Sequence, residues 1–431
     1  MNDSGGDGER RPLGGFFERF EHASPPIDRT ETLPVSTAVG RVLADPVVAR
    51  RPVPHYDQVT RDGFAVAAAE LADASDDAPV SLVPGERAAN GRAVRVDAGE
   101  PLPPGADAVL ALDAVGDYES ELSEGSERDD AAVPELDCTD AVAPGTGVRH
   151  AGADVSDGET VRAAGHRLTE SDPALCTVIG RSRVEVYQRP TVGVVPTGRG
   201  LVGGDAGPET VVETNGTTIS AFVERWGGKV TYRDPVATDR HALRPAVERD
   251  LTKDLIVTVG GTGDGEADRI GDVLAALGDV LVDGVALEPC TSVTLSVVRE
   301  RPVLSVPGDP VDAFVATALL LGPAVTRLAG RDTPAPDSFD AELSERIASE
   351  SGLVSAVPVT TSGRQDPSAA DRFRNERVAP DDADAVQTVR PVADDPFSTL
   401  ARADGWVVVP PARDHVAPGE RVTVERWEAS S

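Results

Sequence analysis

Lysine is nearly absent from this chain. Of its 41 basic residues only Lys229 and Lys253 are lysines, and the rest are arginines. Against them stand 73 acidic residues, giving a net charge of −32 over 431 residues. No basic stripe exists to neutralise phosphates, so nucleic-acid binding is not expected. A diffuse, acidic, lysine-poor surface fits salt adaptation, where screening removes self-repulsion. Cysteine is scarce too: Cys138, Cys176 and Cys290 are an odd set with no Cys-x-x-Cys pair. They argue against a disulfide framework and against a zinc site. The six histidines are scattered, with no pair at helical ligand spacing. No uninterrupted apolar run reaches the roughly 20 residues of a membrane helix. Residues 1–11 are polar and glycine-rich, unlike a signal peptide or an anchor. The expectation is a cytoplasmic protein of two to four domains, with no nucleic-acid or membrane partner.

What is present centres on residues 254–274. Leu255–Val259 is an apolar, β-branched run suited to a strand buried on both faces. Gly260, Gly261, Gly263 and Gly265 follow at once. Glycines there let backbone N–H groups approach an anion. A helix predicted from residue 267 adds its N-terminal dipole. Glu266 and Asp268 put carboxylates in a loop otherwise made for phosphate. A metal bound between the two would reconcile them; the alternative is a tight turn with an acidic helix start.

Along the chain, residues 1–12 read as a disordered tail, and a short helix starts at Phe16. Ser36 is a candidate N-cap, with Val39, Val42 and Leu43 on one helical face. Residues 80–112 read as short strands of a small β domain, and residues 113–140 as an acidic insertion in it. A helix and then a strand follow over residues 167–186. From residue 191 the pattern becomes βαβ alternation: strands at 192–195, 230–232 and Leu255–Val259, helices at 214–226 and 241–250. Paired strands at 295–298 and 303–306 and an apolar helix at 311–321 complete a three-layer α/β domain. Residues 337–431 read as a second small β domain.

Several blocks, in this order, resemble the molybdopterin molybdotransferases (the MoeA and gephyrin E-domain family). They include Gly40-Arg-Val-Leu-Ala-Asp, Asp62-Gly-Phe-Ala-Val, Gly99-Glu-Pro-Leu-Pro-Pro-Gly-Ala-Asp and Gly152-Ala-Asp154. Thr214-Asn215, Gly260-Gly261 with Gly265-Glu-Ala-Asp268, Pro307-Gly-Asp-Pro310 and Pro418-Gly-Glu-Arg-Val complete the set. The likeness spans roughly residues 30–425, and joint order and spacing make it specific. It implies an α/β multidomain chain: an N-terminal and linker region over 13–189 with a β subdomain at about 54–145, a molybdopterin-binding domain at 190–332, and a β-barrel-like domain at 337–431. It implies a homodimer whose cleft lies between the α/β domain of one subunit and the small β domain of the other. The reaction implied joins molybdate to adenylylated molybdopterin, giving molybdenum cofactor and AMP, with Mg²⁺. Implied catalytic residues are Asp62 and Asp268. Implied metal ligands are Asp62, Asp268 and Asp154. Implied substrate contacts are Gly260, Gly261, Gly265, Asn215, Pro307, Gly308 and Pro310.

The chain also departs from that family. The Thr-Gly-Asp-Glu-Leu signature reads Thr197-Gly-Arg-Gly-Leu201, so two acids become Arg199 and Gly200. Ala98 replaces a threonine, Asp309 an asparagine, and two expected lysines fall on Gly284 and Glu288. These losses keep a second reading open, a non-catalytic carrier or scaffold for molybdopterin. Asp239 and Cys290 read as a structural acid and a small buried residue.

Overall fold

A computed structural model describes residues 10–112, 135–205, 207–263, 269–331, 333–361, 387–392 and 399–427. The chain divides into two compact units, Thr30–Val186 and the remainder.

The larger unit is built on a six-stranded sheet in the order Lys229–Tyr232, Thr191–Pro196, Leu255–Val259, Arg301–Val306, Thr294–Val298, Asp279–Asp283. The first four strands run parallel, and the last two pair antiparallel. Alternate residues of the central strands face opposite layers, as a period of two requires. Val192, Val194, Leu255, Val257 and Val259 pack with Ile219, Val223, Phe314 and Leu320. Val195 and Ile256 pack instead with Leu243, Val247, Ile270 and Val273. Helices therefore cover both faces: Asn215–Arg225 and Pro310–Leu328 on one, Arg240–Arg249 and Ile270–Leu277 on the other. This is the expected three-layer domain.

Pro310–Leu328 is long and apolar enough to cross a membrane, but 67% of its apolar window is buried inside the fold. It is a core helix, widened to a π turn at Thr317–Leu321 before Pro323. The N-terminal helix Leu13–Ala23 joins this same core through Phe16 and Phe20. It packs on the α/β layers of the larger unit. Arg11 bridges to Val285, so the expected tail is ordered from residue 10; residues 1–9 lie outside the described ones.

The C-terminal strands Val354–Thr361, Thr388–Pro391, Asp337–Leu343, Arg421–Arg426 and Gly405–Val409 form a sheet that closes on itself, since Gly405–Val409 also pairs with Val354–Thr361. Leu287–Glu288, from the α/β domain, adds to its edge. Phe222, Phe314, Trp406 and Trp427 form an aromatic junction between the two domains, with ring centroids 5.0–6.1 Å apart.

The smaller unit carries a five-stranded sheet in the order Ala108–Ala111, Gly63–Val66, Arg92–Val96, Val80–Pro84, Leu136–Cys138. Most of the predicted acidic insertion lies outside the described residues, but its Leu136–Cys138 end is a strand. The helix expected from Ser36 does not form. A 3₁₀ turn at Val35–Thr37 is followed by Gly40 at φ +79°, and Val42 and Leu43 bridge to Arg167 and Val186. Tertiary backbone partners there override the helical spacing of the apolar residues.

Candidate functional site

Register brings the site together. Pro196 pairs with Val259, and Val259 with Val306, so three parallel strands end side by side. Thr197, Gly260 and Pro307 then open three loops at the carboxyl edge of the sheet, where open α/β folds bind ligands. Thr197 is buried, and its hydroxyl donates to the Gly260 carbonyl at 2.8 Å. Gly260 stands at φ +95°, and a Cβ there would lie 2.4 Å from the Thr197 carbonyl oxygen. No other residue fits that approach. A Cβ on Gly308 would come within 3.3 Å of the Gly260 Cα, so the two glycine loops touch. The Asn215 amide donates to the Gly308 carbonyl at 2.8 Å. Pro310 opens the core helix, and Asp309 caps it by accepting from the Val311 N–H at 2.9 Å. The structure thus gathers Asn215, Gly260, Gly308 and Pro310, with Gly261 following Gly260 and Pro307 preceding Gly308. A cavity of about 180 Å³ opens beside Asn215, Gly308 and Pro310, lined also by Thr197 and Glu213.

A larger cavity, about 640 Å³, lies between the Pro310 helix and the C-terminal sheet. Glu288, Asp309, Asp312 and Arg346 are its charged lining residues. Where the resemblance calls for a lysine, Glu288 accepts from the Ser355 hydroxyl at 2.7 Å. Burial, and then the neighbouring Asp309, push the Asp312 carboxyl up to about 6.

The remaining expected residues belong to the smaller unit or lie outside the described residues. Asp62 is exposed in the smaller unit, and its Oδ1 accepts from the Ala98 N–H at 2.7 Å. Asp154 is exposed in the same unit. Gly265 and Asp268 lie outside the described residues, as does the start of the predicted 267 helix; its described part is Ile270–Leu277. No group of three metal-ligating side chains occurs among the described residues. Gly200, where an acid was expected, sits at φ +74° with the Glu209 carbonyl 3.0 Å from a would-be Cβ. Arg199 is exposed. Asp239 caps its helix by accepting from the His241 and Ala242 N–H groups at 2.9 and 3.0 Å. Cys290 is fully buried, and burial pushes its thiol up.

Sequence reading missed Glu213. It precedes the Thr214-Asn215 pair, and its environment comes from Tyr232, on the strand Lys229–Tyr232.

Residues 16–180 match the MoeA N-terminal region (domain I and II), and residues 193–327 match a probable molybdopterin binding domain. The chain is 27% identical to molybdopterin molybdenumtransferase 2 of Mycobacterium tuberculosis over 419 residues, covering 93% of this chain and 95% of that one. It is 27% identical over 409 residues to the molybdopterin molybdenumtransferase of Haemophilus influenzae, covering 92% and 94%. In fold it is similar to the molybdopterin biosynthesis moea protein from Pyrococcus horikosii, with a TM-score of 0.78 at 24% identity over 98% of this chain and all of the other. With the MoeA N-terminal region and the probable molybdopterin binding domain in order along it, the chain belongs to the MoeA family.

Proposed function

We propose that this chain is a molybdopterin molybdotransferase, joining molybdate to adenylylated molybdopterin and releasing AMP. The observation that carries the reading is the register that brings Thr197, Gly260 and Pro307 to one sheet edge, with Asn215 tying the loops together. Backbone amides of the glycine loops suit the pterin's phosphate. Asn215 and Thr197 hold those loops in place, so the amides need no reorganisation when the anion arrives.

Mg²⁺ is part of the proposal. Asp62 and Asp154 are exposed carboxylates, the hard oxygen donors that Mg²⁺ takes; the family resemblance adds Asp268, which lies outside the described residues. Mg²⁺ usually binds one or two protein carboxylates beside substrate phosphates, so a closed three-ligand cage is not required. When bound it would neutralise charge on the phosphoanhydride. A homodimer and adaptation to high salt complete the reading. Light scattering in high salt tests the first; a monomer at working concentration would remove it.

The decisive experiment incubates purified protein in high salt with adenylylated molybdopterin, molybdate and Mg²⁺. Molybdate-dependent AMP release with formation of the cofactor is expected. Neither product, while another family enzyme is active in the same assay, would overturn the reading.

A further inference from the structure

Glu213 is a carboxylate that the site's loops do not need for phosphate. It is 8% exposed and lines the 180 Å³ cavity beside Thr197, Asn215, Gly308 and Pro310. One oxygen accepts from the Gly216 N–H at 2.7 Å, and the other from the Tyr232 hydroxyl at 2.5 Å. Its backbone N–H donates to the Val202 carbonyl at 2.8 Å. The side chain is therefore fixed from two sides and cannot swing away. No arginine or lysine forms a salt bridge to it among the described residues. Each carboxylate oxygen carries two acceptor positions, so one bond on each leaves one free on each.

A buried carboxylate without a cation repels a phosphate and attracts a pair of N–H donors. The pterin ring has such a pair, its 2-amino group and the adjacent N3–H, side by side on one edge. Leu201, Val211, Val212 and Val259 add apolar walls to the cavity for the flat faces of a ring. The volume lies below the several hundred Å³ of a whole drug-sized ligand site, and suits one fused ring system. We propose that Glu213 and this cavity form the pterin-ring subsite, the carboxylate accepting from the amino and N3–H edge of the ring. The anionic tail of the substrate is then directed away from Glu213. This rests on the molybdopterin reading above.

The test uses the full chain in high salt and two fluorescent probes, 6-hydroxymethylpterin and 6-hydroxymethyllumazine. The second carries a carbonyl in place of the 2-amino group. Wild-type protein is expected to bind the pterin at least about tenfold more tightly, because a carboxylate accepts from the amino group and repels the carbonyl. Glu213→Gln keeps an acceptor for the Gly216 N–H and offers an amide donor to the carbonyl, so the preference should vanish while the unfolding temperature stays close to wild type. A preference unchanged in Glu213→Gln would overturn the proposal, as would equal binding of the two probes by the wild type. Thr214 makes no side-chain capping bond, so Thr214→Phe serves as a second variant that fills the cavity; undiminished pterin binding there would also overturn the proposal. AMP release from the natural substrate without any affinity for 6-hydroxymethylpterin sinks this subsite and leaves the transferase reading standing. Loss of both sinks both.

Discussion

Asp62 shows how much a single residue can disclose before the fold is known. Its place before Gly63 at the start of a strand was legible, and so was its solvent exposure. Its bond to the Ala98 N–H was not, because the partner lies 36 residues away. An exposed carboxylate held by one oxygen leaves the other free for Mg²⁺ or substrate. Asp62→Asn and Asp268→Asn are each expected to lower turnover at least about tenfold, roughly 1.4 kcal/mol of transition-state stabilisation. Asp154→Asn should do less, and Asp239→Asn, which alters only a helix cap, little. Turnover measured against Mg²⁺ concentration checks this; unaltered Mg²⁺ dependence in both Asp62→Asn and Asp268→Asn would remove the metal from these positions. Asp312 carries a prediction of the opposite kind. Its folded carboxyl titrates near 6, well above its ordinary value of 3.8. The folded state therefore holds the proton more tightly, and stability falls as pH rises through the window between those values. Above that window the cost is complete, about 3 kcal/mol at most and on the order of 2 kcal/mol once solvent screening of this half-buried carboxyl is allowed for. Asp312→Asn should raise the unfolding temperature at neutral pH and change it little near pH 4. An equal gain at both pH values would mean that the carboxyl is not strained by ionisation. Glu213 was invisible in the sequence for the same reason as the Ala98 contact: its meaning depends on Tyr232, brought in by the sheet.

At the scale of the element, the central strands were readable because their sequence allows little else. Leu255–Val259 is apolar throughout and ends on glycines, and the structure places the strand at those residues. The 35–49 stretch failed because three apolar residues at helical spacing are also what a turn-rich segment needs to plug a core. There, backbone partners from residues 166–186 decide the outcome. The core helix Pro310–Leu328 shows what spacing cannot convey at all. Gly322 lies inside it, where glycine ordinarily costs about 1 kcal/mol relative to alanine. Its reason is Trp226: a Cβ at residue 322 would meet the indole at 2.6 Å. Gly322→Ala should thus destabilise despite alanine's better helix propensity, by about 1–3 kcal/mol through overpacking. Trp226→Phe in the same chain makes room and should recover part of that loss. Thermal unfolding of the two single variants and the double one checks the coupling; strictly additive effects would show that the indole yields freely.

For the whole molecule the controlling quantity is charge. A net −32 at neutral pH means that folding gathers like charges which the unfolded chain holds further apart. Salt screens this repulsion over a Debye length of about 10 Å at 0.1 M and about 3 Å at 1 M. Unfolding temperature at neutral pH should therefore rise with KCl, by roughly 10 °C or more between dilute and molar salt, as expected if several kcal/mol of repulsion are relieved. Salt also strengthens apolar burial, and that effect would give a rise of the same sign. The two separate by pH. The isoelectric point is near 4.5, so the net charge shrinks as pH is lowered toward it. Screening then has less to act on, whereas apolar burial is unchanged. The salt dependence of unfolding temperature should consequently be steep at pH 7 and shallow close to the isoelectric point. Equal slopes at the two pH values would assign the salt effect to apolar burial, and would remove the physical basis for reading the near-absence of lysine as adaptation to salt.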